Sequence, residues 1–334
     1  MHAFHADATG LDLPAGHPFP AAKYRLLREA VARRLPGIRA REAAPASDGE
    51  LALAHDPAWI TAVSEGTTTP AQQREIGLPW SEPMAQRSRR SVGATILAAR
   101  TALLGTGGAA AEGVAANFGG GTHHAYAHKG AGYCVFNDVA VAARLMQAEY
   151  HRRHAGRAGV HGLRVLVIDL DVHQDNGTAH IFADDPTVFT LSLHGARNFP
   201  SRKEASDLDV DLPDGCGDVA YLDALDAALA RAFAATAHAP PGLAFYLAGA
   251  DAHEDDRLGR LALSCAGLAE RDRRVLQALQ ARRIPVAVTM AGGYGRDIAL
   301  TVAIHERTLE LALESWRDWQ MLGAAEPREE QSVP

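Results

Sequence analysis

Residues 164–173 read RVLVIDLDVH, an apolar run of strand length that ends in two aspartates and a histidine. A short apolar run rich in β-branched residues predicts a strand that is buried on both faces. Similar runs follow at residues 187–193, 243–248 and 285–290. Amphipathic helical patterns accompany them, at Leu222 to Phe233, Val275 to Leu279 and Ile298 to Leu313. Strands that alternate with helices need crossover connections, so the sequence predicts an α/β fold with a mainly parallel β-sheet flanked by helices.

Length and composition are those of a folded globular protein. The 334 residues are 47% hydrophobic and 22% charged, which is enough apolar material for a substantial core. No repeat of fixed period and no linker rich in Pro, Gly or Ser divides the sequence. We therefore expect a single domain over residues 1–325, followed by a polar C-terminal tail at residues 326–334.

Charge and cysteine content exclude several classes of protein. The formal net charge of −7 and the isoelectric point near 6.1 argue against a nucleic-acid partner, which usually needs a basic face. The three cysteines form no CxxC pair, which excludes a cysteine zinc finger and argues against a disulfide framework. The first residues lack the pattern of a signal peptide, and no apolar run reaches the roughly 18 residues of a membrane span. We expect a cytoplasmic protein without a membrane partner, and the sequence leaves its oligomeric state open.

Polar or glycine-rich residues follow each predicted strand at its carboxyl end. In an open parallel sheet, ligands bind outside the carboxyl ends of the strands. Four strand ends of this kind therefore predict one assembled site. The stretches concerned are DLDVH at residues 169–173, SLH at 192–194, GAD at 249–251 and GGY at 292–294.

Asp171 and His173 are the strongest candidates for metal ligands. One residue separates them, so on an extended strand exit both side chains point the same way. Zinc takes nitrogen and oxygen ligands in a tetrahedral shell, and Asp251 at the end of another strand is a natural third ligand. Three protein ligands leave the open position that a catalytic zinc needs. Ligand type alone does not distinguish zinc from iron(II).

Two further groups supply the chemistry of amide hydrolysis. Adjacent histidines, His123 and His124, follow three glycines that permit close turns, and a histidine beside a metal is suited to act as a general base. Tyr294 follows Gly292 and Gly293, where its hydroxyl could donate to a developing oxyanion. Taken alone, the histidines are better explained as a polar turn and the tyrosine as a core residue; the neighbouring metal-ligand pattern is what favours the catalytic interpretation.

Together these stretches resemble the conserved blocks of the histone deacetylase superfamily, and in particular its bacterial class IV-like members. The resemblance covers most of residues 17–300 and implies the arginase–deacetylase fold. Its four blocks occur in order as GGGTHHAYAHKGAGYCVFND at residues 119–138, VIDLDVHQDNGT at 167–178, YLAGADAHEDDRLGRL at 246–261 and AGGYGRD at 291–297.

The resemblance implies a role for each matching residue. His124 would be the general base, His123 its electrostatic partner, and Tyr294 the group that polarises the substrate carbonyl. The zinc ligands would be Asp171, His173 and Asp251. Asp169 would lie in the second shell and, with Ser192, hold a structural monovalent cation, K⁺. The substrate channel would be lined by Gly132, Tyr133, Phe199 and Leu258.

Two positions depart from the family pattern. Asp175 stands where most members carry glycine, so that Asp171, His173 and Asp175 have the spacing of the related ureohydrolases, which hold two manganese ions. Those relatives also need a carboxylate two residues before Asp251, and that position is Gly249 here, which favours one zinc ion. Asp255 stands where glycine is common in the family. The sequence does not show how this carboxylate affects the rim of the substrate channel.

The predicted function is zinc-dependent removal of acyl groups from acylated lysine side chains of a peptide or protein. An amidohydrolase for acetylpolyamines or other small acyl-amines remains the close alternative. The loops at the rim of the substrate channel select between these substrates, and their structure is not predictable from the sequence. A binuclear manganese ureohydrolase and a catalytically inactive binding module are minor alternatives. Acyl-chain length is not readable from the sequence.

Overall fold

One sheet of eight strands lies at the centre of the protein, as seen in a computed structural model that describes residues 1–7, 10–11, 13–105, 110–156 and 161–325. The strands are β1 (His2–His5), β2 (Arg39–Glu42), β3 (Val114–Asn117), β4 (Val165–Asp169), β5 (Val188–Gly195), β6 (Leu208–Leu212), β7 (Leu243–Leu247) and β8 (Val286–Thr289). Every strand pair is parallel, and the spatial order is β2-β1-β3-β8-β7-β4-β5-β6. The predicted parallel α/β fold is confirmed, and the predicted tail at 326–334 lies outside the described residues.

Helices cover both faces of this sheet. They are α1 (Ala22–Arg34), α2 (Asp48–Leu51), α3 (Pro57–Glu65), α4 (Pro70–Ile76), α5 (Glu82–Leu104), α6 (Asp138–His154), α7 (Asn176–Phe182), α8 (Asp218–Ala235), α9 (Cys265–Gln280) and α10 (Ile298–Ala325). None of the helices in the described part of the chain combines the length and apolarity that a membrane span requires.

Strand β4 shows how the sheet separates two hydrophobic cores. Its side chains alternate between the faces, as the pleat of a strand requires. Leu166 and Ile168 enter the core formed with α1, α8, α9 and α10, whereas Val165 and Val167 enter the core formed with α3, α5 and α6. All five residues of β4 are buried, which explains why its sequence is an uninterrupted apolar run up to Asp169.

The register of the central strands brings their carboxyl ends to one level. Asp169, the last residue of β4, lies opposite Leu247 of β7, and Leu247 lies opposite Thr289 of β8. On the other side, Asp169 lies opposite Ser192 of β5. The loops that leave these strands therefore start from the same edge of the sheet, where the predicted site residues are located.

Candidate active site

Asp171, His173 and Asp251 form a compact buried cluster at the exits of β4 and β7. The His173 Nδ1 atom lies 2.9 Å from Asp171 Oδ1 and 3.4 Å from Asp251 Oδ2. One candidate ligand atom from each residue lies within 4.8 Å of the others. Zinc–ligand bonds of about 2 Å in a tetrahedron put ligand atoms about 3.3 Å apart, so the cluster has the size of a zinc site. In the described part of the chain, no other group of three or more His, Cys, Asp or Glu side chains has this geometry.

The electrostatics of the cluster also fit a cation. Asp251 is fully buried, and its Oδ2 has no hydrogen-bond partner among the described residues. Burial, followed by the like charge of Asp171, raises the pKa of Asp251 to about 6. Burial opposes protonation of His173, but the hydrogen bond to Asp171 and the negative charges of Asp171 and Asp251 outweigh it and raise the pKa of His173 to about 10. The site thus concentrates negative charge around one imidazole, and a divalent ion would compensate that charge in place of the proton.

Two glycines allow the backbone to close around these carboxylates. A Cβ atom on Gly292 would lie 1.8 Å from Asp251 Oδ2 and 2.5 Å from Asp171 Oδ2. A Cβ atom on Gly249 would lie 2.7 Å from Asp251 Oδ1 and 2.8 Å from Asp171 Oδ2. The Gly292 N–H also donates to Asp171 Oδ2 at 2.7 Å. Glycine at 249 and 292 is therefore a requirement of the cluster, because any side chain would overlap the ligand oxygens.

The two adjacent histidines have different partners and different charge states. His123 Nδ1 lies 2.6 Å from Asp169 Oδ2. Burial opposes the charge on His123, but Asp169 outweighs it and raises the pKa of His123 to about 9. For His124, burial and the positive charge of His123 hold the pKa well below the ordinary value. The pair therefore places a neutral imidazole beside a charged one, with ring centroids 4.1 Å apart.

Asn176 fixes the tautomer of His124. The Asn176 Nδ2 group donates to the Tyr126 hydroxyl at 2.9 Å, so its Oδ1 faces His124 Nδ1 at 2.6 Å as an acceptor. His124 must then carry its proton on Nδ1, which leaves Nε2 as a lone-pair base. The His124 ring centroid lies 5.8 Å from that of His173, so the imidazole lies beside the cluster of Asp171, His173 and Asp251.

Tyr294 is held at its backbone on both sides. Its N–H donates to Asp256 Oδ2 at 2.6 Å, and its carbonyl accepts from Arg257 Nε at 2.8 Å. The ring centroid lies 6.4 Å from that of His173. Burial, followed by the charge of Asp171, raises the pKa of Tyr294 well above the ordinary range, so its hydroxyl stays protonated as a donor.

A cavity of about 400 Å³ connects these groups to the surface. The Phe199 side chain is 46% exposed and that of Leu258 is 40% exposed, so both lie at its mouth. The Phe199 ring is 4.8 Å from that of His124. Gly132 has φ +51°, and a Cβ atom there would lie 2.5 Å from His124 Cδ2. The structure brings these predicted site residues to one cavity: His123, His124, Gly132, Tyr133, Asp171, His173, Phe199, Leu258 and Tyr294.

Asp169 and Ser192 lie behind the cluster of Asp171, His173 and Asp251, fully buried and opposite each other in the sheet. Asp169 Oδ1 accepts from the Asp171 N–H at 3.0 Å. Ser192 Oγ lies 2.9 Å from the Nδ1 atom of His194, whose Nε2 lies 3.0 Å from Asp211. No pattern in the sequence indicates a role for this imidazole. A monovalent cation at Asp169 and Ser192 stays a prediction.

The two departures from the family pattern have different environments. Asp175 is fully buried, accepts from Ser206 Oγ at 3.1 Å, and has its pKa raised to about 8 by burial and by the charge of Asp169. Asp255 lies near the surface and forms an ion pair with Arg296 at 3.0 Å. Asp255 therefore adds no unpaired charge to the rim, whereas Asp175 adds a buried carboxyl behind His123.

Three contributors to the site were missed by the sequence analysis: Asn176, Asp256 and Lys23. Asn176 and Asp256 closely follow the candidate metal ligands in the sequence, so their positions were a usable signal. Lys23 is 268 residues from its hydrogen-bond acceptor at Ala291, and no sequence pattern indicates that contact.

Comparison with known proteins agrees with this architecture. The family model of the histone deacetylase domain matches residues 17–309. An uncharacterised protein of Picosynechococcus sp. is 43% identical over 288 residues, which are 86% of this chain and 89% of that protein. Histone deacetylase 2 of Arabidopsis thaliana is 33% identical over 218 residues, which are 64% of this chain but only 51% of that relative.

Solved structures show the same fold. The HDA15 HD domain superposes with a TM-score of 0.73 at 23% identity, covering 94% of this chain and 90% of that one. An HDAC homologue in complex with SAHA superposes with a TM-score of 0.69 at 23% identity, covering 95% and 88%. The expected arginase–deacetylase fold is thereby confirmed. Because the family model spans most of its length, the chain belongs to the histone deacetylase family.

Proposed function

We propose that this protein is a zinc-dependent amide hydrolase that removes acyl groups from acylated lysine side chains. The observation that carries the proposal is one cavity in which three features meet. These are Asp171 and His173 of a metal-sized cluster whose third member, Asp251, is buried behind the cavity wall, the free Nε2 of a neutral His124, and the protonated hydroxyl of Tyr294. Membership of the histone deacetylase family supports the same reaction class.

Each group has a defined task in amide hydrolysis. A zinc ion, with iron(II) as the alternative metal, would supply Lewis acidity toward the carbonyl oxygen and increase the acidity of water. His124 Nε2 accepts the proton of the attacking water and later delivers it to the leaving amine. His123, charged through its contact with Asp169, stabilises negative charge in the cavity. Tyr294 donates a hydrogen bond to the carbonyl oxygen as negative charge develops there.

The charges at the mouth favour an acyl-lysine peptide over an acetylpolyamine. Arg197 and Arg260 line the cavity and both approach Asp214, at 3.6 Å and 2.9 Å. Two guanidinium groups that share one carboxylate leave a net positive charge. A polycationic substrate would be repelled, whereas a peptide with neutral or acidic flanking residues would not.

The minor alternatives have less support. A ureohydrolase needs a second metal and a carboxylate at the position of Gly249, where a side chain would overlap the existing ligands. An inactive binding module would not need the free His124 base or the Tyr294 donor, and both are present in the cavity. A K⁺ ion near Asp169 and Ser192 belongs to the proposal as a structural cation.

The decisive experiment is hydrolysis of a substrate panel by purified protein, before and after metal stripping and zinc return. The panel contains acyl-lysine peptides of increasing acyl length with acidic, neutral or basic flanks, together with acetylpolyamines. We expect zinc-restored release from acyl-lysine peptides, fastest with acidic flanks. Activity on acetylpolyamines alone would move the assignment to the alternative, and inactivity with zinc bound would refute amide hydrolysis of these substrates.

A further inference from the structure

Arg271 is a fully buried arginine on α9, the helix that spans Cys265–Gln280. Its Nε and Nη2 atoms lie 2.9 Å and 2.8 Å from Asp272 Oδ1, so the two side chains form a buried ion pair. Asp272 also accepts hydrogen bonds from the Tyr246 and Thr308 hydroxyls at 2.5 Å and 2.6 Å. A buried ion pair adds little net stability, because the cost of desolvation offsets its attraction. The position of Arg271 therefore needs a further explanation.

The remaining nitrogen of Arg271 joins the main chain at the exits of β4 and β7. Its Nη1 donates to the Gly249 carbonyl at 2.7 Å and to the Leu170 carbonyl at 3.2 Å. Leu170 directly precedes Asp171, and Gly249 lies two residues before Asp251. One guanidinium nitrogen thus connects the two segments that present candidate metal ligands from these strands.

This bridge begins where the pairing of the two strands ends. Strands β4 and β7 are in register up to Asp169 and Leu247, and the Leu170 N–H still donates to the Leu247 carbonyl at 3.1 Å. Among the described residues, no main-chain hydrogen bond joins the two segments beyond that point. Neighbouring strands are twisted relative to each other, so their exits diverge unless another group holds them, and buried carbonyl groups need donors. Arg271 supplies the donor and keeps the two exits together.

The separation of these exits determines the geometry of the metal cluster. Asp171 and Asp251 approach His173 Nδ1 from the two strands, at 2.9 Å and 3.4 Å. An aspartate side chain is short, so a shift of its main chain moves its carboxylate by nearly the same distance. A metal site tolerates errors of only about 0.2 Å in its ligand distances. A small change in the separation of the exits would therefore move one carboxylate out of range.

We infer that Arg271 is a positioning residue that sets the separation of the β4 and β7 exits and thereby preorganises Asp171 and Asp251 to bind a divalent metal. The inference rests on the candidate metal site of the proposed function, but not on the reaction. Metal affinity therefore tests it independently of turnover.

The first test measures the zinc affinity of Arg271→Lys in competition with a chelator. A lysine nitrogen takes the position of the guanidinium carbon, so it ends one bond short of Nη1 while it keeps a positive charge beside Asp272. We expect the Kd for zinc to rise roughly ten- to hundredfold, the usual effect of losing a group that orients metal ligands.

Thr308→Val is the matched control for this measurement. It removes a buried hydrogen bond to Asp272 from the same network and leaves both carbonyl contacts of Arg271 in place. Its Kd for zinc should stay within about threefold of wild type, because the substituted side chain touches neither strand exit. A general loss of packing would affect both variants alike.

The second test records the visible absorption of Co²⁺ bound to the same proteins, since the absorption of this ion depends on its coordination geometry. We expect an altered spectrum in Arg271→Lys and the wild-type spectrum in Thr308→Val. If Arg271→Lys does not fold, Arg271→Met combined with Asp272→Asn replaces it, since both buried charges are then removed together.

Wild-type zinc affinity and an unchanged cobalt spectrum in the Arg271 variant would overturn the inference. Equal losses of affinity in the Arg271 variant and in Thr308→Val would also overturn it. A protein whose zinc affinity depends on Arg271 as expected, but which is inactive on the substrate panel, would refute the proposed function alone.

Discussion

His55 makes the stability of this protein sensitive to acid. The residue is 3% exposed, and its Nδ1–H donates to the Tyr126 and Ala127 carbonyls at 3.1 Å and 3.3 Å. Its Nε2 accepts from the Asn137 N–H at 2.8 Å, so the folded site holds a neutral imidazole. A second proton on Nε2 would face that N–H directly. Burial accordingly lowers the pKa of His55 from 6.5 to about 4.

The sign and size of the effect follow from proton linkage. Between pH 6.5 and about 4 the unfolded chain binds a proton at this position that the folded chain does not, so the free energy of unfolding falls as the pH falls through this window. The difference between a pKa of 6.5 in the unfolded chain and about 4 in the folded chain corresponds to about 3 kcal/mol, most of which is lost by about pH 4. The free energy of unfolding of a domain is only about 5–15 kcal/mol, so the loss that acid causes at this single imidazole is a large fraction of the total stability.

The assay is urea unfolding of wild type and His55→Gln at several pH values from 7.5 to 4, with a chelator present in every sample. The two proteins share all other titratable groups, so the pH-dependent contributions of those groups cancel when the two unfolding free energies are subtracted. We expect the advantage of wild type over His55→Gln to shrink by about 3 kcal/mol across this range. The exposed His238→Gln serves as control and should follow wild type. A constant difference between wild type and His55→Gln would refute the reasoning.

Three further predictions concern the active site. Tyr294→Phe should lower kcat about 10²- to 10³-fold, the usual cost of one oxyanion donor, with metal content unchanged; wild-type turnover would exclude that role. Asp251→Ala should lose the bound metal, as measured by elemental analysis after dialysis, and full occupancy would contradict its assignment as a ligand. Gly292→Ala should lower zinc affinity in competition with a chelator, because its Cβ would lie 1.8 Å from Asp251 Oδ2; unchanged affinity would show that the loop accommodates a side chain.

The strands and the candidate metal cluster were accessible to sequence analysis because their signals are local. The run that ends at Asp169 is apolar throughout, since β4 is buried on both faces. Asp171 and His173 could be paired from their spacing alone. Asp251 could be added because strand ends of a parallel sheet meet at one edge. These inferences needed only the periodicity of a strand and the topology of the fold.

Other features depend on contacts between distant segments and left no local pattern. Lys23 resembles any lysine in a helix until α1 is placed against the Ala291–Tyr294 segment. The different charge states of His123 and His124 follow from Asp169 and Asn176, which the sequence places about fifty residues away. The burial of Asp175 likewise arises from its packing against Ser206 beyond β5. The sequence identifies the chemical groups, but the tertiary contacts determine their protonation states.

Strand β7 occupies the centre of the sheet, between β8 and β4, although it is the seventh strand to be synthesised. Until it emerges from the ribosome, β4, β5 and β6 can pair with one another, and β1, β2 and β3 likewise, but nothing joins the two groups. Each partial sheet then exposes an apolar inner edge, which is a surface prone to aggregation during synthesis. Pairing of β7 with β4 would deliver Asp251 to Asp171 and His173, and β8 would then close the gap between β7 and β3. Metal uptake by a nascent chain would therefore report the pairing of β7 with β4, and chains truncated before residue 251 should depend most on chaperones.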